Sequence, residues 1–348
     1  MGARGEESGV TSGRKWGAKW SGPRVWGRMV PMTTPSPEAI QHYGEVASRL
    51  THAVSSVLDG KADTVRLAIT SLFAGGHLLL EDVPGVGKTL LAKALSRSVG
   101  GTVRRIQFTP DLLPSDVLGV NLFNQETRHF EFRAGPIFSN IVIADEINRA
   151  SPKTQSALLE AMAESQATID GTTYLMPDPF MVVATQNPIE MEGTYALPEA
   201  QRDRFLMRTS VGYPSLADEV SMLGSHVGPD PLDRLSPVTT TEELTALRTA
   251  VAALPATDEL RTYIVSLVVE TRSDASIRMG VSPRGSVALL RAAQANAVLE
   301  GRGYVTPHDV QVMAVPVLSH RVIPQDSDSP DVAEQLVADV VRRVPVSA

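Results

Sequence analysis

A chain of 348 residues with 43% apolar side chains is long enough for two domains or three and has ample material for a core. Cysteine is absent, which excludes a disulfide framework and a thiolate metal site. The net charge of −7 gives no global footprint for nucleic acid. No run of about 20 apolar residues offers a membrane span, so the composition predicts a soluble cytoplasmic protein.

The first 32 residues stand apart. Arg4, Arg14, Lys15, Lys19, Arg24 and Arg28 face only Glu6 and Glu7, a balance of +4 that leaves −11 for the remainder. All three tryptophans, Trp16, Trp20 and Trp26, lie there among Gly and Ser. No apolar stretch marks a secretory signal. The composition predicts a disordered extension over 1–36, with Met29 or Met32 as an alternative start. A second reading is an interfacial segment, since Lys15, Trp16, Lys19 and Trp20 share a helical face; four glycines and a proline between residues 13 and 27 oppose it.

From about residue 37 helix and strand signals alternate. Residues 37–58 read as an amphipathic helix opened by Ser36 or Pro37, with Ile40, Val46, Leu50, Val54 and Leu58 at helical spacing. A second helix covers 62–73. Strands are expected at about 77–81, 104–108, 140–144, 180–184 and 206–211, with helices between them at 88–98 and 152–164. This alternation predicts an α/β fold, a parallel sheet with helices on both faces, over 37–212. Two stretches break the rhythm. Residues 119–133 read as a polar inserted hairpin, and Asp170-Gly171 between β-formers predicts another over 166–176. After Gly212-Tyr213-Pro214 the strand signals stop. Segments 215–224, 240–253, 257–272, 284–300, 307–318 and 331–342 read as helices, predicting a smaller all-helical domain over 213–348.

The chemistry centres on residues 77–92. An apolar strand at Leu78 to Leu80 runs into a tight Pro84-Gly85-Val86-Gly87 loop, and Lys88 and Thr89 open an apolar helix. This is the layout of a nucleotide phosphate site. Gly85 and Gly87 free the backbone to approach phosphate, and the loop N–H groups and helix N-terminus face the anion. Pro84, Gly85, Val86, Gly87, Lys88, Thr89 and Leu90 are therefore the candidate nucleotide-binding set. Lys88 is placed to reach the β- and γ-phosphates, and the Thr89 hydroxyl to reach Mg²⁺. Asp82 stands where the pattern G-x-x-x-x-G-K-[ST] has its first Gly. That Gly only starts the turn and does not touch phosphate, so the departure carries little weight.

About 57 residues beyond the loop, Ile141 to Glu146 form an apolar strand ending in two carboxylates. Asp145 suits a water-mediated hold on Mg²⁺, and Glu146 suits polarisation of the attacking water. Residues 180–188 form another strand tipped by amides, where Asn187 can orient that water; a turn-forming Asn-Pro is the alternative. The seven histidines, His42, His52, His77, His129, His226, His308 and His320, are scattered without metal-ligand spacing and read as structural or surface residues.

Several segments taken together resemble the MoxR family of AAA+ ATPases. They are Glu81 to Thr89, Gln107 to Asp116, Gly135-Pro136-Ile137-Phe138, Asp145 to Ala150, Lys153 to Met162, Ala184 to Pro188 and Ser282-Pro283-Arg284-Gly285. The resemblance spans about 37–345. It implies an ASCE-type P-loop sheet in strand order 5-1-4-3-2 with a helical lid, and a homo-oligomeric ring, usually a hexamer, with ATP between subunits. It makes Asn187 the first sensor, Arg284 the second sensor reaching from the lid, and Arg204 the arginine finger offered to the next subunit. It has the two hairpins face the ring pore and touch substrate. It also implies a chaperone-like role in maturing or activating protein complexes, and a partner with a von Willebrand factor A domain that delivers the protein client.

From local sequence alone, Arg204 before a buried strand is ordinarily a surface ion-pair partner. An arginine fits the finger role because its planar fork spans phosphate oxygens and stays charged. Arg202 stands where an apolar residue is expected and competes for that role, and Arg149 is a further candidate to act in trans. Two other functions compete: an ATP-driven nucleic-acid motor, opposed by the acidic folded part, and a magnesium-chelatase-like motor subunit.

Overall fold

The computed structural model describes residues 34–346 apart from 59, 84, 188–194, 214–215, 218, 221–230 and 328. The expected extension (bar its last three residues), Pro84 of the loop and most of the expected 215–224 helix lie outside the described residues.

The first two helices, α1 (Pro37–Ser55) and α2 (Ala62–Phe73), precede strand β1 (Leu78–Glu81) and helix α3 (Lys88–Val99). The Ser36 hydroxyl accepts the Ala39 N–H and fixes where α1 starts. Next come β2 (Val103–Gln107), the short helix α4 (Pro114–Leu118), the hairpin β3 (Gly119–Asn124) and β4 (His129–Ala134), and β5 (Ile141–Asp145). Helix α5 (Pro152–Glu164), the hairpin β6 (Gln166–Ile169) and β7 (Thr172–Leu175), β8 (Met181–Gln186), α6 (Glu199–Arg202) and β9 (Met207–Thr209) complete the sheet domain.

Five strands align in the order β2-β5-β8-β1-β9, all neighbours parallel. Numbered along the sheet domain, that is 5-1-4-3-2 read from the other edge, as the resemblance implied. Strand alternation divides the core. Leu78, Leu80, Ile141, Ile143, Met181 and Val183 face one apolar cluster with α1, α2 and α3. Leu79, Val142, Ala144, Val182 and Ala184 face the other, with Leu158, Leu159 and Met162 of α5. Both faces are covered, which is why these strands read as continuous apolar runs.

The first cluster continues into the C-terminal helices Thr241–Ala252, Asp258–Ser273, Pro283–Leu299, Pro307–Leu318 and Pro330–Arg343. Thr240, Thr257 and Thr306 cap three of them. This lid is helical as expected, with one addition: Ile277–Met279 pairs antiparallel with Ile323–Pro324 as β10 and β11. Two or three residues per strand are too few to produce a periodic signal, and the same brevity hid α4. Strand β9 is shorter than expected because the N–H groups of Val211 and Gly212 donate to the Asp82 carboxylate instead of continuing a ladder.

Both predicted hairpins form. Asp170 and Gly171 take φ of 48° and 79°, the double left-handed turn that suits a two-residue hairpin. The hairpins touch each other: Phe132 stacks on Tyr174 at 4.0 Å, and the Asn121 amide donates to Asp170 at 2.7 Å. Phe123 and Phe130 pair edge to face on β3 and β4 and are 54% and 72% exposed.

Candidate functional site

Strand β1 ends at Glu81, and the chain turns through the loop into α3. Gly85 and Gly87 adopt φ of 89° and 97°, and Gly87 is the residue before the first helical turn. A side chain at either would be strained by the backbone alone. The Lys88 ammonium donates to the carbonyl oxygens of Asp82 and Val83, curling over the loop. Burial draws it below the usual lysine pKa, against the opposing pull of Asp82, Asp145 and Glu146. The two acids thus lie close enough to Lys88 to act on its charge.

Parallel pairing of β5 with β8, and of β8 with β1, brings the second motif to the same sheet edge. Asp145, 4% exposed, accepts from Thr89 Oγ1 at 3.3 Å and from Thr185 Oγ1 at 3.2 Å. Thr185 also accepts the Glu146 backbone N–H at 2.9 Å, so one hydroxyl on β8 orders both acids. Glu146 itself sits at φ 57°, ψ 49°, a left-handed conformation that costs a non-glycine residue about 1–3 kcal/mol. The loop and acid-pair residues Lys88, Thr89, Asp145 and Glu146 therefore meet.

Asn187 follows the end of β8, and its carbonyl accepts from Asn148 Nδ2 at 3.2 Å, which ties it to the turn after the acid pair. Arg204 donates to the Leu159 carbonyl of α5. Arg202 and Arg204 each keep a buried Nε–H with no acceptor among the described residues. Arg284 is exposed on the first turn of the lid helix Pro283–Leu299. Val86 and Leu90 are half-buried at the loop tip and in the first turn of α3.

Other residues of the site escaped sequence reasoning. Arg105 on β2 pairs with Asp145 at 2.5 Å and donates to Gln107 at 2.8 Å; Gln107 in turn donates to Glu146 at 3.0 Å. Arg149 binds Glu146 of its own chain at 3.1 Å. A polar chain from Asp145 through Arg105 and Gln107 to Glu146 thus runs along β2. Its only sequence signal was two charged or polar positions, 105 and 107, spaced by two on an edge strand. Asp82 also carries more than its sequence suggested. Its carboxylate accepts from the N–H groups of Val83, Val211 and Gly212 and anchors the loop to the segment leaving β9.

Oxygen donors from Thr89 and Asp145 suit a hard cation such as Mg²⁺. Among the described residues no group of three His, Cys, Asp or Glu forms a protein-only metal cage. That sparse donor set fits an ion completed by phosphate oxygens and water. His77 lies outside this chemistry: buried, its pKa lowered by burial to about 4, it accepts the Val182 N–H at Nδ1 and bonds the Met162 carbonyl through Nε2; His226 lies outside the described residues.

Comparison with known proteins agrees with this geometry. The family described as "ATPase family associated with various cellular activities (AAA)" matches residues 77–207, and an AAA lid domain matches 269–340. An uncharacterised Bacillus subtilis protein, YeaC, is 50% identical over 84% of this chain and 92% of its own. Chaperone MoxR1 of Mycobacterium tuberculosis is 41% identical over 83% of this chain and 78% of its own. A crystal structure of a candidate ATPase from Cytophaga hutchinsonii superposes with a TM-score of 0.82 at 35% identity, covering 89% of this chain and 98% of that one. With the phosphate loop, the acid pair, the 5-1-4-3-2 sheet and the helical lid all in place, the chain belongs to the MoxR family of AAA+ ATPases.

Proposed function

We propose that the chain is a Mg²⁺-dependent ATPase that assembles into a homo-oligomeric ring and uses hydrolysis to remodel a protein client, as a chaperone-like factor in the maturation or activation of protein complexes. The observation that carries this reading is the meeting of Thr89 and Asp145 at 3.3 Å beside Lys88 and Glu146. In this reading the loop N–H groups and Lys88 hold the phosphates, and Thr89 and Asp145 hold the metal. Bound Mg²⁺ supplies charge neutralisation on the phosphate oxygens. Glu146 takes a proton from the attacking water, which Asn187 orients. Arg284 reaches the γ-phosphate from the lid, and Arg204, or Arg202 beside it, is supplied to the neighbouring subunit.

The paired hairpins, with exposed Phe123 and Phe130, are the surface we assign to the client. A partner with a von Willebrand factor A domain belongs to the same proposal and rests on family membership. So does a cytoplasmic location, supported by the lack of cysteine and, among the described residues, of any helix long and apolar enough to cross a membrane.

The test is a pair of variants. Lys88→Ala should lose ATP binding, because Lys88 neutralises phosphate in the bound state. Glu146→Gln should bind ATP without turning it over, because Glu146 acts only as water attacks. Equal loss of ATP binding in both would sink the assignment. Light scattering of Glu146→Gln with ATP should report several subunits per particle; a monomer at every concentration would sink the ring.

A further inference from the structure

Two lid elements converge on one carboxylate of the sheet domain. Asp203 lies between Arg202 and Arg204. Arg321, in the 3-10 turn Ser319–Arg321 that follows the lid helix Pro307–Leu318, donates through Nε to Asp203 Oδ1 at 2.7 Å. The same guanidinium donates to the carbonyl oxygens of Asp203, Phe205 and Leu206 at 3.2, 2.6 and 3.2 Å, and to that of Val317 in its own lid. Its side chain is 3% exposed and that of Asp203 is 17% exposed, so this is a buried pair with most donors occupied. The other carboxylate oxygen accepts from Ser282 Oγ at 3.2 Å. Ser282 immediately precedes the helix whose second residue is Arg284.

A movement of the lid that carries Ser282 and Arg321 together therefore has two consequences open to it. Either it breaks a buried ion pair and leaves a buried charge uncompensated, or it carries residues 203–206 along. The second is the cheaper movement, because Arg321 grips this segment by its backbone as well as by its side chain. We propose that Asp203 is a positioning residue that couples the lid end bearing Arg284 to the arginine segment 202–204. The nucleotide state read by one subunit's lid then sets where that subunit holds the arginine it offers to its neighbour. This rests on the shared-site reading above. It adds a direction to it: the defect of an Asp203 variant falls on the finger offered, not on the variant's own phosphate site.

Asp203→Asn keeps the side-chain shape and removes the charge. Alone it should bind a fluorescent ATP analogue within about twofold of the wild type while turnover falls roughly 10- to 100-fold, the scale of an ångström-level misplacement. Mixing of subunits under exchanging conditions then reads the direction. With Glu146→Gln the Asp203→Asn sites receive an intact finger, and activity should recover. With Arg204→Ala they receive none, and the Arg204→Ala sites receive only the misplaced one, so activity should stay low. A purely structural lesion recovers with neither partner, and a lesion of the variant's own site recovers with Arg204→Ala; both results overturn the inference, as does full activity of Asp203→Asn alone. If Asp203→Asn fails to fold, Ser282→Ala, which leaves the Arg321 pair in place, is put through the same mixtures with the same criteria. The control mixture of Glu146→Gln with Arg204→Ala separates the two levels. If it stays inactive, the shared-site reading falls and takes the inference with it. If it recovers while Asp203→Asn with Glu146→Gln does not, only the inference falls.

Discussion

Replacing Asp309 should measure how firmly the lid is built. This side chain is fully buried and caps the lid helix Pro307–Leu318 from its third position. It accepts from Arg302 through two nitrogens at 2.8 and 2.6 Å, from Thr306 N and Oγ1 at 2.8 and 2.7 Å, and from Asn296 at 2.7 Å. Burial alone would raise the carboxyl pKa; the bonds from Arg302, Thr306 and Asn296 outweigh it and lower the value from 3.8 to about 2. At 1.36 kcal/mol per unit, the ionised form contributes about 2.5 kcal/mol to stability. The folded pKa is depressed, so this contribution is complete above the unfolded value near 3.8 and is lost as pH falls through about 2. Asp309→Asn should therefore lower the urea-unfolding free energy by about 2–3 kcal/mol at pH 7 and equally at pH 5. At pH 3 about half of the difference should remain. A difference below about 0.5 kcal/mol at pH 7, or one that does not shrink between pH 5 and pH 3, would refute the reasoning.

Asp82→Gly brings the phosphate loop closer to the motif pattern, yet should destabilise the protein. It strips the acceptor from three backbone N–H groups, each worth about 1–3 kcal/mol when left unpaired. Chemical unfolding should report a net loss of about 2 kcal/mol or more after water repairs some of them, and a gain in stability would contradict the anchoring role. Phe123→Ser combined with Phe130→Ser should leave stability within about 1 kcal/mol, because both rings are exposed and lose little beyond their mutual edge contact. Binding of a hydrophobic reporter dye should fall in the same variant; unchanged dye binding would show that this patch is not the accessible apolar surface.

The phosphate loop, the acid pair, the five core strands and both hairpins are legible in the sequence because each depends on neighbours within a few residues. Apolar runs, glycines at fixed offsets and Asp170-Gly171 carry their own geometry. The helix start at Ser36 is local in the same way. What the sequence alone did not reveal depends on contacts between distant segments. Arg105 and Gln107 became part of the site only when β2 lay beside β5 and set Gln107 opposite Asp145. Thr185 orders both acids only because β8 pairs with β5. Asp82 looked like a lapse from a motif until Val211 and Gly212, about 130 residues on, supplied the N–H groups it accepts. Asp203 and Arg321 are 118 positions apart, and nothing local distinguishes either from a surface charge. Periodicity and motif spacing report the backbone path and short-range geometry. Which buried charges find one another is decided by packing, since a buried carboxylate or guanidinium is tolerated only where the fold delivers its partner.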